Sequence, residues 1–316
     1  SYNFEHLGLK KLITTCYKNN EINLFSQNDS EKAIYLEYDG DKNNNKIPDL
    51  EEIGVKYLKG DGDFRSDECI ELLKQADIVV TNPPFSLFRP YVSQLIEYKK
   101  KFVIIGHVNG ITYKETFKFI KEKKMWLGHS IKSGDREFQV HDSYKLSSKS
   151  QRVVDGKKYV RVPGIRWFTN LDYKERYENL DLYKKYSPKE YLKYDNYDAI
   201  NVDKTKDIPE DYDGVMGVPI TFMDKYKPDQ FDILGITSGR DEFEARPTKR
   251  YINPIQINED GSKTNGSKAN TRATLRWNKK PKGTYYIADN VKGYLQILYA
   301  RILIKHKKKV KKWKLI

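Results

Sequence analysis

An α/β fold is what this sequence predicts: an open, mainly parallel sheet covered on both faces over residues 1–150, then a mixed α+β region over residues 151–316. Two observations carry that expectation. Through residue 130, short β-branched runs alternate with segments whose apolar residues fall at helical spacing. Those runs are apolar nearly throughout, as strands buried on two faces are. After residue 150 the rhythm changes to short strand-like runs between long polar stretches, and no internal repeat is visible.

"KKLITTCY" (10–17), "KAIYLEYDG" (32–40) and "VKYLKGDGDF" (55–64) read as strands, the last ending at glycines. The opening "SYNFEHLGL" reads as the middle of a helix ending at Gly8, so further chain is expected ahead of Ser1. "SDECIELLKQA" (66–76) predicts a helix capped by Ser66, with Asp67 and Glu68 in its first turn. "DIVVTN" (77–82) predicts a buried strand. "SLFRPYVSQLIEYKKK" (86–101) predicts a helix capped by Ser86, with Pro90 tolerable only in the first turn. "FVIIGHV" (102–108) predicts a second buried strand and "YKETFKFIKEKK" (113–124) an amphipathic helix. Further on, "KYVRVPGIRWFTNL" (158–171), "GVMGVPITFM" (214–223) and "FDILGIT" (231–237) are strand-like, and "GYLQILYARILI" (293–304) returns to a buried pattern. The tyrosine- and charge-rich residues 173–198 predict surface helix and loop. Residues 258–277, polar and glycine-containing, predict a long mobile loop.

No apolar run is long enough to span a bilayer, and no cleavable signal pattern opens the chain, so the expected compartment is the cytoplasm. Cys16 and Cys69 sit in apolar surroundings and make neither a disulfide framework nor a metal-ligand cluster. The five histidines are scattered and add no case for a metal. A formal charge of +14 and a pI near 9.3 point to a polyanionic partner. The joint richness in Lys, Asn, Ile and Tyr is also what AT-rich coding produces, so the motifs must decide.

The deciding motif is Asn82-Pro83-Pro84-Phe85, at the point where the 77–82 strand stops. Ligands of open α/β sheets bind outside the carboxyl ends of the strands. Proline fixes φ and removes N–H donors, so a proline pair there presents its carbonyls as stationary acceptors. Asn82 adds a side-chain oxygen and Phe85 a flat face. Together they suit a planar heterocycle with an exocyclic amine: the amine donates to the Asn82 oxygen and the Pro83 carbonyl while the ring stacks on Phe85. Two acceptors on one amine also stabilise the positive charge that develops as its nitrogen attacks an electrophile, and no strong base is needed. A proline-rich turn after a core strand is the plainer account, but strand, NPPF and capped helix together are more specific than an Asn-Pro turn.

"ADIVVTNPPFSLFRPYVSQLIEYKKKFVIIG", "YVRVPGIRWFTNLD", "TSGRDEFEARPTKRYINP" and "ADNVKGYLQILYARILIK" carry a resemblance over essentially the whole chain. They closely resemble the EcoRI-type adenine-specific DNA methyltransferases, enzymes dependent on S-adenosylmethionine. The resemblance implies a Rossmann-like methyltransferase sheet in residues 1–150 and a target-recognition, DNA-binding region with returning sheet strands in 151–316. It implies methyl transfer from S-adenosyl-L-methionine to the N6 of an adenine flipped out of double-stranded DNA, in a restriction-modification, phage or mobile-element setting. Asn82, Pro83, Pro84 and Phe85 take the catalytic places. A cognate restriction endonuclease is compatible with it but not specified. Two other readings stay open: a methyltransferase acting on RNA or a protein amide, and a non-catalytic DNA-binding remnant.

By the same resemblance, "KGDGDF" (59–64) stands where the family places residues beside the cofactor's adenine. Asp61, Asp63, Phe64 and Asn82 are the cofactor candidates, although a plain Gly-Asp turn explains Asp61 equally well. The strand bearing the family's first cofactor motif is expected ahead of Ser1. Asp41, Asn43, Asn45, Asp49 and Glu52 fall at positions 1, 3, 5, 9 and 12 of a calcium-loop pattern. Lys46 stands where that pattern needs glycine, and a solvated Asx-rich turn is the favoured reading. For DNA, "TSGRDEFEARPTKRY" (237–251) gathers Arg240, Arg246, Lys249 and Arg250, and "SKTNGSKANTRATLR" (262–276) supplies Lys263, Lys268 and Arg272 with Asn265 and Asn270. The tail "KHKKKVKKWK" is either a phosphate-holding segment or a solvated terminus.

Overall fold

The computed structural model describes residues 3–17, 33–45, 48, 49, 51–131, 136–141, 143, 151–238 and 245–307. The fold is mixed α/β with several sheets, and the chain forms two compact units. One comprises Ser1–Val79 with Gln94–Lys101, the other Val80–Ser93 with Phe102–Ile316. Arg240 and the tail beyond residue 307 lie outside the described residues.

In the first unit, residues 3–8 make a turn rather than a helix end, closed by Gly8 at φ 64°. Strands β1 (Leu12–Thr15), β2 (Ile34–Tyr38) and β3 (Gly54–Tyr57) form one sheet in that order, antiparallel at both junctions. The expectation of parallel strands fails here for a topological reason. Parallel neighbours need a crossover of about a dozen or more residues, usually a helix, and the described residues of the polar loop between β2 and β3 contain none. That loop holds the calcium-like pattern. Asn43 Nδ2 donates to Asp49 Oδ2 at 2.6 Å, and Glu52 Oε1 accepts from the N–H of Lys42 and of Asn43. Glu52 is buried, so the turn is less solvated than its composition suggests. Among the described residues no group of three or more His, Cys, Asp or Glu side chains is placed to hold a metal ion.

Helix α1 (Asp67–Gln75) begins as expected, with the Ser66 hydroxyl accepting from the N–H of Cys69. Its far end is satisfied by Lys100, whose ammonium donates to the carbonyls of Lys74 and Ala76. Ala33, Leu58, Cys69 and Leu72 make this unit's core, with Ile13 and Tyr35 packed against it.

The remaining chain begins with β4 (Ile78–Thr81), α2 (Phe88–Glu97), β5 (Lys101–His107), α3 (Lys114–Lys121) and β6 (Trp126–Leu127). Pro90 falls in the first turn of α2, where its missing N–H costs nothing. Ser86 does not cap this helix; it lies inside a 3₁₀ turn, Phe85–Leu87, that leads into it. Then come β7 (Arg136–Val140), β8 (Gln151–Val154), β9 (Lys157–Val162) and β10 (Ile165–Thr169). A four-stranded sheet runs β4-β5-β10-β6, with β10 antiparallel to β5 and β6, while β7-β9-β8 form a separate antiparallel sheet. Since β4 is an edge strand, Ile78 and Val80 are 47% and 70% exposed, not buried as their apolar run predicts.

Strands β11 (Ile200–Asn201), β12 (Met216–Pro219) and β13 (Phe231–Ile236) join β19 (Arg301–His306) in the order β11-β12-β19-β13. Between them β14 (Ile255–Ile257), β15 (Lys263–Asn265), β16 (Thr274–Trp277), β17 (Tyr285–Ile287) and β18 (Tyr294–Ile297) build a five-stranded antiparallel sheet, β15-β14-β17-β18-β16. Two expectations are corrected. Residues 258–277 are not a mobile loop: they contain β15, a 3₁₀ turn and β16, and Ala269, Ala273 and Thr274 are fully buried. Residues 173–198 contain only a short 3₁₀ turn, and Tyr191, Tyr194 and Tyr197 are buried. In both segments polar groups find protein partners: Tyr194 OH bonds Asn201 Oδ1, and Tyr197 OH bonds the Thr271 carbonyl. No helix of the described residues is long and apolar enough to cross a membrane.

Arg166 on β10 is fully desolvated and forks onto Asp224, with Nε–Oδ1 at 2.5 Å and NH2–Oδ2 at 2.8 Å. Replacing Arg166 by Met should lower unfolding free energy by about 3–5 kcal/mol, because Asp224 would keep a buried charge without its bidentate partner. Urea denaturation measures this; a loss below about 1 kcal/mol would mean that the pair is dispensable.

Candidate active site

β4 ends at Thr81, and the two prolines that follow Asn82 deny the chain any N–H with which to extend the ladder. Pro83 is buried. Pro84 takes an extended conformation, φ −52° and ψ 134°, and its carbonyl starts the 3₁₀ turn by accepting from the Leu87 N–H at 2.9 Å. Asn82 is exposed. Among the described residues neither its carboxamide nor the Pro83 carbonyl is taken by a hydrogen bond. The ring of Phe85 is 44% exposed, a large apolar face left to solvent beside two open acceptors.

The start of α2 sets the loop's place. Phe88, the first residue of that helix, is buried edge-on against Phe168 of β10, centroids 4.9 Å apart. Both rings press onto Gly106 of β5. A Cβ there would stand 2.5 Å from Phe88 and 2.8 Å from Phe168, so only glycine lets helix and sheet close this far.

One residue on, His107 faces Phe85 edge-on at 6.3 Å. Its Nδ1 accepts from the Asn109 N–H at 3.1 Å, which puts the ring proton on Nε2 in the neutral form. The ring lies over Gly164, at φ 71°, where a Cβ would come within 2.6 Å of Nε2. Asn109 Oδ1 in turn accepts from the hydroxyl of Tyr299 at 3.0 Å, and the Arg272 guanidinium lies 5.5 Å from the Tyr299 ring centre. The structure thus joins Phe85, His107, Asn109, Tyr299 and Arg272 by successive contacts. Of these, sequence reasoning found only Phe85 and Arg272. The missed signal was a polar His-Val-Asn-Gly directly after the "FVIIG" run, the same strand-end position that marked Asn82.

Of the cofactor candidates, Asp61, Asp63 and Phe64 lie in the first unit and Asn82 in the second. Asp61 Oδ1 accepts from the Asp63 N–H, and Asp63 forks onto Arg65 through Nε at 2.9 Å and NH2 at 2.6 Å. Hydrogen bonding to Arg65 holds the Asp63 carboxyl below the usual carboxylate range. The Phe64 carbonyl accepts from Gln94 Nε2, and Arg65 lies over the Phe64 ring. The DNA candidates belong to the second unit, and there Lys249 is not free. Its ammonium binds Asp195 at 2.9 Å, and Tyr251 OH and Arg276 meet the same carboxylate. Burial, then the Asp195 bond, pushes the Tyr251 phenol well up. Arg246, Arg250, Lys263 and Lys268 are exposed. Lys263 borders a cleft of about 670 Å³ on the five-stranded sheet, lined also by Lys280, Lys282, Tyr285 and Tyr294. Asn270 is a structural residue, bonded through both ends of its amide to the Tyr251 backbone.

Known proteins share this sequence over most of its length. Residues 1–307 match the family model described as adenine-specific methyltransferase EcoRI. The Type II methyltransferase M.EcoRI of Escherichia coli is 51% identical over 243 residues, 76% of this chain and 74% of that protein. The Type II methyltransferase M.MpnI of Mycoplasma pneumoniae is 41% identical over 236 residues, 73% of this chain and 67% of that protein. The Type II methyltransferase M.MgeORF184P of Mycoplasma genitalium is 40% identical over 238 residues, 73% of this chain and 68% of that protein. No solved structure matches this chain at a significant level.

Beside the Tyr197 hydroxyl, the Asn196 side chain ties down the segment bearing Arg272. Asn196 is fully buried, donates to the carbonyls of Ala269 and Arg272, and accepts from the Thr274 N–H. Asn196→Ala should cost about 1–3 kcal/mol, because the buried Thr274 N–H loses its acceptor while the Ala269 and Arg272 carbonyls keep only the Thr274 hydroxyl. In that variant the amides at 269–276 should lose hydrogen-exchange protection before the rest of the unit; unchanged protection there would mean that Asn196 is no clamp.

Proposed function

The chain belongs to the family of adenine-specific EcoRI methyltransferases, and we propose that Asn82, Pro83, Pro84 and Phe85 carry out its transfer step. The protein is an adenine-specific Type II DNA methyltransferase of the restriction-modification kind. The single observation that carries the proposal is the pair of open acceptors, Asn82 carboxamide and Pro83 carbonyl, beside an exposed Phe85 face.

The target adenine leaves the duplex and stacks on Phe85, its N6 amine donating one hydrogen to Asn82 Oδ1 and the other to the Pro83 carbonyl. Those bonds orient the nitrogen lone pair away from the acceptors and stabilise the positive charge that grows on N6 as its new bond to carbon forms. The proline pair keeps the oxygens from reorganising meanwhile. Once methylated, N6 releases its extra proton to water, which is why no side-chain base is needed beside Asn82. His107 closes the edge of the stacking site.

The methyl donor in this reading is S-adenosyl-L-methionine, which when bound supplies an electrophilic methyl group. Asp61, Asp63 and Phe64 would hold it. Their chemistry fits: carboxylate acceptors and a flat ring suit the amine, hydroxyls and purine of an adenosine. Arg65 already occupies both oxygens of Asp63, which leaves Asp61 as the more available acceptor. The same reading takes the β4-β5-β10-β6 sheet as part of a Rossmann-like methyltransferase sheet, residues 151–316 as the target-recognition region, and the cytoplasm as the compartment. A cognate endonuclease would complete the restriction-modification pair.

Incubation with labelled S-adenosylmethionine and unmethylated duplex DNA should place label on adenine N6. Label only in RNA or protein, or duplex binding with no label, would overturn the reading. Asn82→Ala should lower kcat by about 10²–10³-fold with cofactor binding nearly unchanged. Phe85→Ala should remove about 1–3 kcal/mol of base stacking and so raise KM for DNA more than it lowers unfolding free energy; equal KM values would refute stacking.

A further inference from the structure

We propose that Arg272 and Tyr299 form a built clamp for the phosphate of the extruded target nucleotide, aligned to the Phe85 site through Asn109 and His107. The proposal rests on the catalytic reading of residues 82–85 and assigns a partner to groups that this reading leaves idle.

Four observations carry it. Tyr299 is 56% exposed, yet its hydroxyl donates to Asn109 Oδ1, so an exposed aromatic is held in one orientation where a free ring would rotate. The Arg272 guanidinium lies over that ring, which fixes the cation as well. Arg272 is only partly buried and no ion pair to it occurs among the described residues; its NH1 is shielded from solvent without a hydrogen-bond partner, so the edge offered to a phosphate is Nε and NH2. A buried guanidinium donor without an acceptor is costly, and a planar fork of donors matches phosphate oxygens bidentately. Finally, Asn109 lies two residues beyond His107 and donates its N–H to the imidazole that faces Phe85. The clamp and the stacking site are therefore linked by adjoining contacts within one unit.

The backbone of Arg272 is already committed, its carbonyl to Asn196 and its N–H to Lys268, so the side chain is presented from a fixed point. Lys249, by contrast, spends its charge on Asp195. Arg272 is thus a prearranged cation, joined to Phe85 through the successive contacts of Tyr299, Asn109 and His107. A nucleotide swung out of a duplex brings its own phosphate with it, and that is the anion chemistry an Arg–Tyr pair beside a base pocket selects.

The test uses the protein with a duplex carrying its methylation site, mapped beforehand from N6-methyladenine in DNA it has modified. 2-Aminopurine replaces the target adenine, so that extrusion is read as fluorescence. Arg272→Ala should weaken duplex binding about tenfold, reduce the slope of log K against log salt by about 0.9, and depress the extrusion signal. Tyr299→Phe keeps the ring and loses the bond to Asn109; it should depress extrusion severalfold with the salt slope unchanged. Asn109→Ala should behave like Tyr299→Phe, and the double variant should be no worse than either. An Arg272→Ala protein with unchanged slope and extrusion overturns the proposal, as does full additivity of the other two. Asn82→Ala, assayed in parallel for transfer, reports on the catalytic reading alone, so failure of the clamp and failure of that reading are told apart. Thermal unfolding of each variant separates a folding defect from a lost contact, and Arg272→Lys, which keeps charge without the fork, should restore the salt slope but not the extrusion signal.

Discussion

A missing methyl group governs the geometry of this site. Because Gly106 has no Cβ, Phe88 and Phe168 close on β5, and the helix that Phe88 begins is seated against the sheet. The 3₁₀ turn Phe85–Leu87, with Pro84 before it, leads directly into that helix, so the seating of one ring sets the position of the loop. The prolines then convert position into rigidity: with φ fixed and no N–H to satisfy, the loop has few conformations to lose when a ligand arrives.

A second close approach repeats the principle at the next residue of β5. His107 rests on Gly164, and its tautomer is set by the Asn109 N–H. Glycine here does two jobs, accepting a positive φ and admitting a ring. From Asn109 the contacts pass to Tyr299, at the turn between β18 and β19, and on to Arg272, on the segment that Asn196 ties down. The Phe85 loop and Arg272 are thus joined by a series of contacts, each set by backbone that is itself hydrogen-bonded. The net charge of +14 says little about this. What distinguishes Arg272 from Lys249 is that a carboxylate sits on one and not on the other.

Much of the site was legible in the sequence, and the limits have a pattern. Helix α1 and its Ser66 cap, the place of Pro90 in α2, the strand at "FVIIGH" and the NPPF loop after β4 all derive from local chemistry, since each depends on neighbours within a few residues. The errors arose where a partner distant in sequence decided. β4 reads as buried yet is an edge strand; β1, β2 and β3 read as members of a mainly parallel sheet, yet pair antiparallel. Residues 258–277 have a loop's composition, yet Asn196, Tyr197 and Tyr251 supply the hydrogen bonds that their own polar groups need.

By itself the sequence determined which groups the protein can offer: two stationary carbonyls, an amide, a stacking ring and an excess of cations. A resemblance in motif then named the family and its reaction, and family membership bears those out. Tertiary structure alone decided that Lys249 is spent on Asp195 and that His107, Asn109 and Tyr299 are joined to Phe85 by successive contacts. The physical reason is range. Propensity, capping and proline stiffness act along a few bonds of chain, whereas an ion pair such as Lys249–Asp195 or a contact such as Asn109–Tyr299 joins residues that only folding brings together.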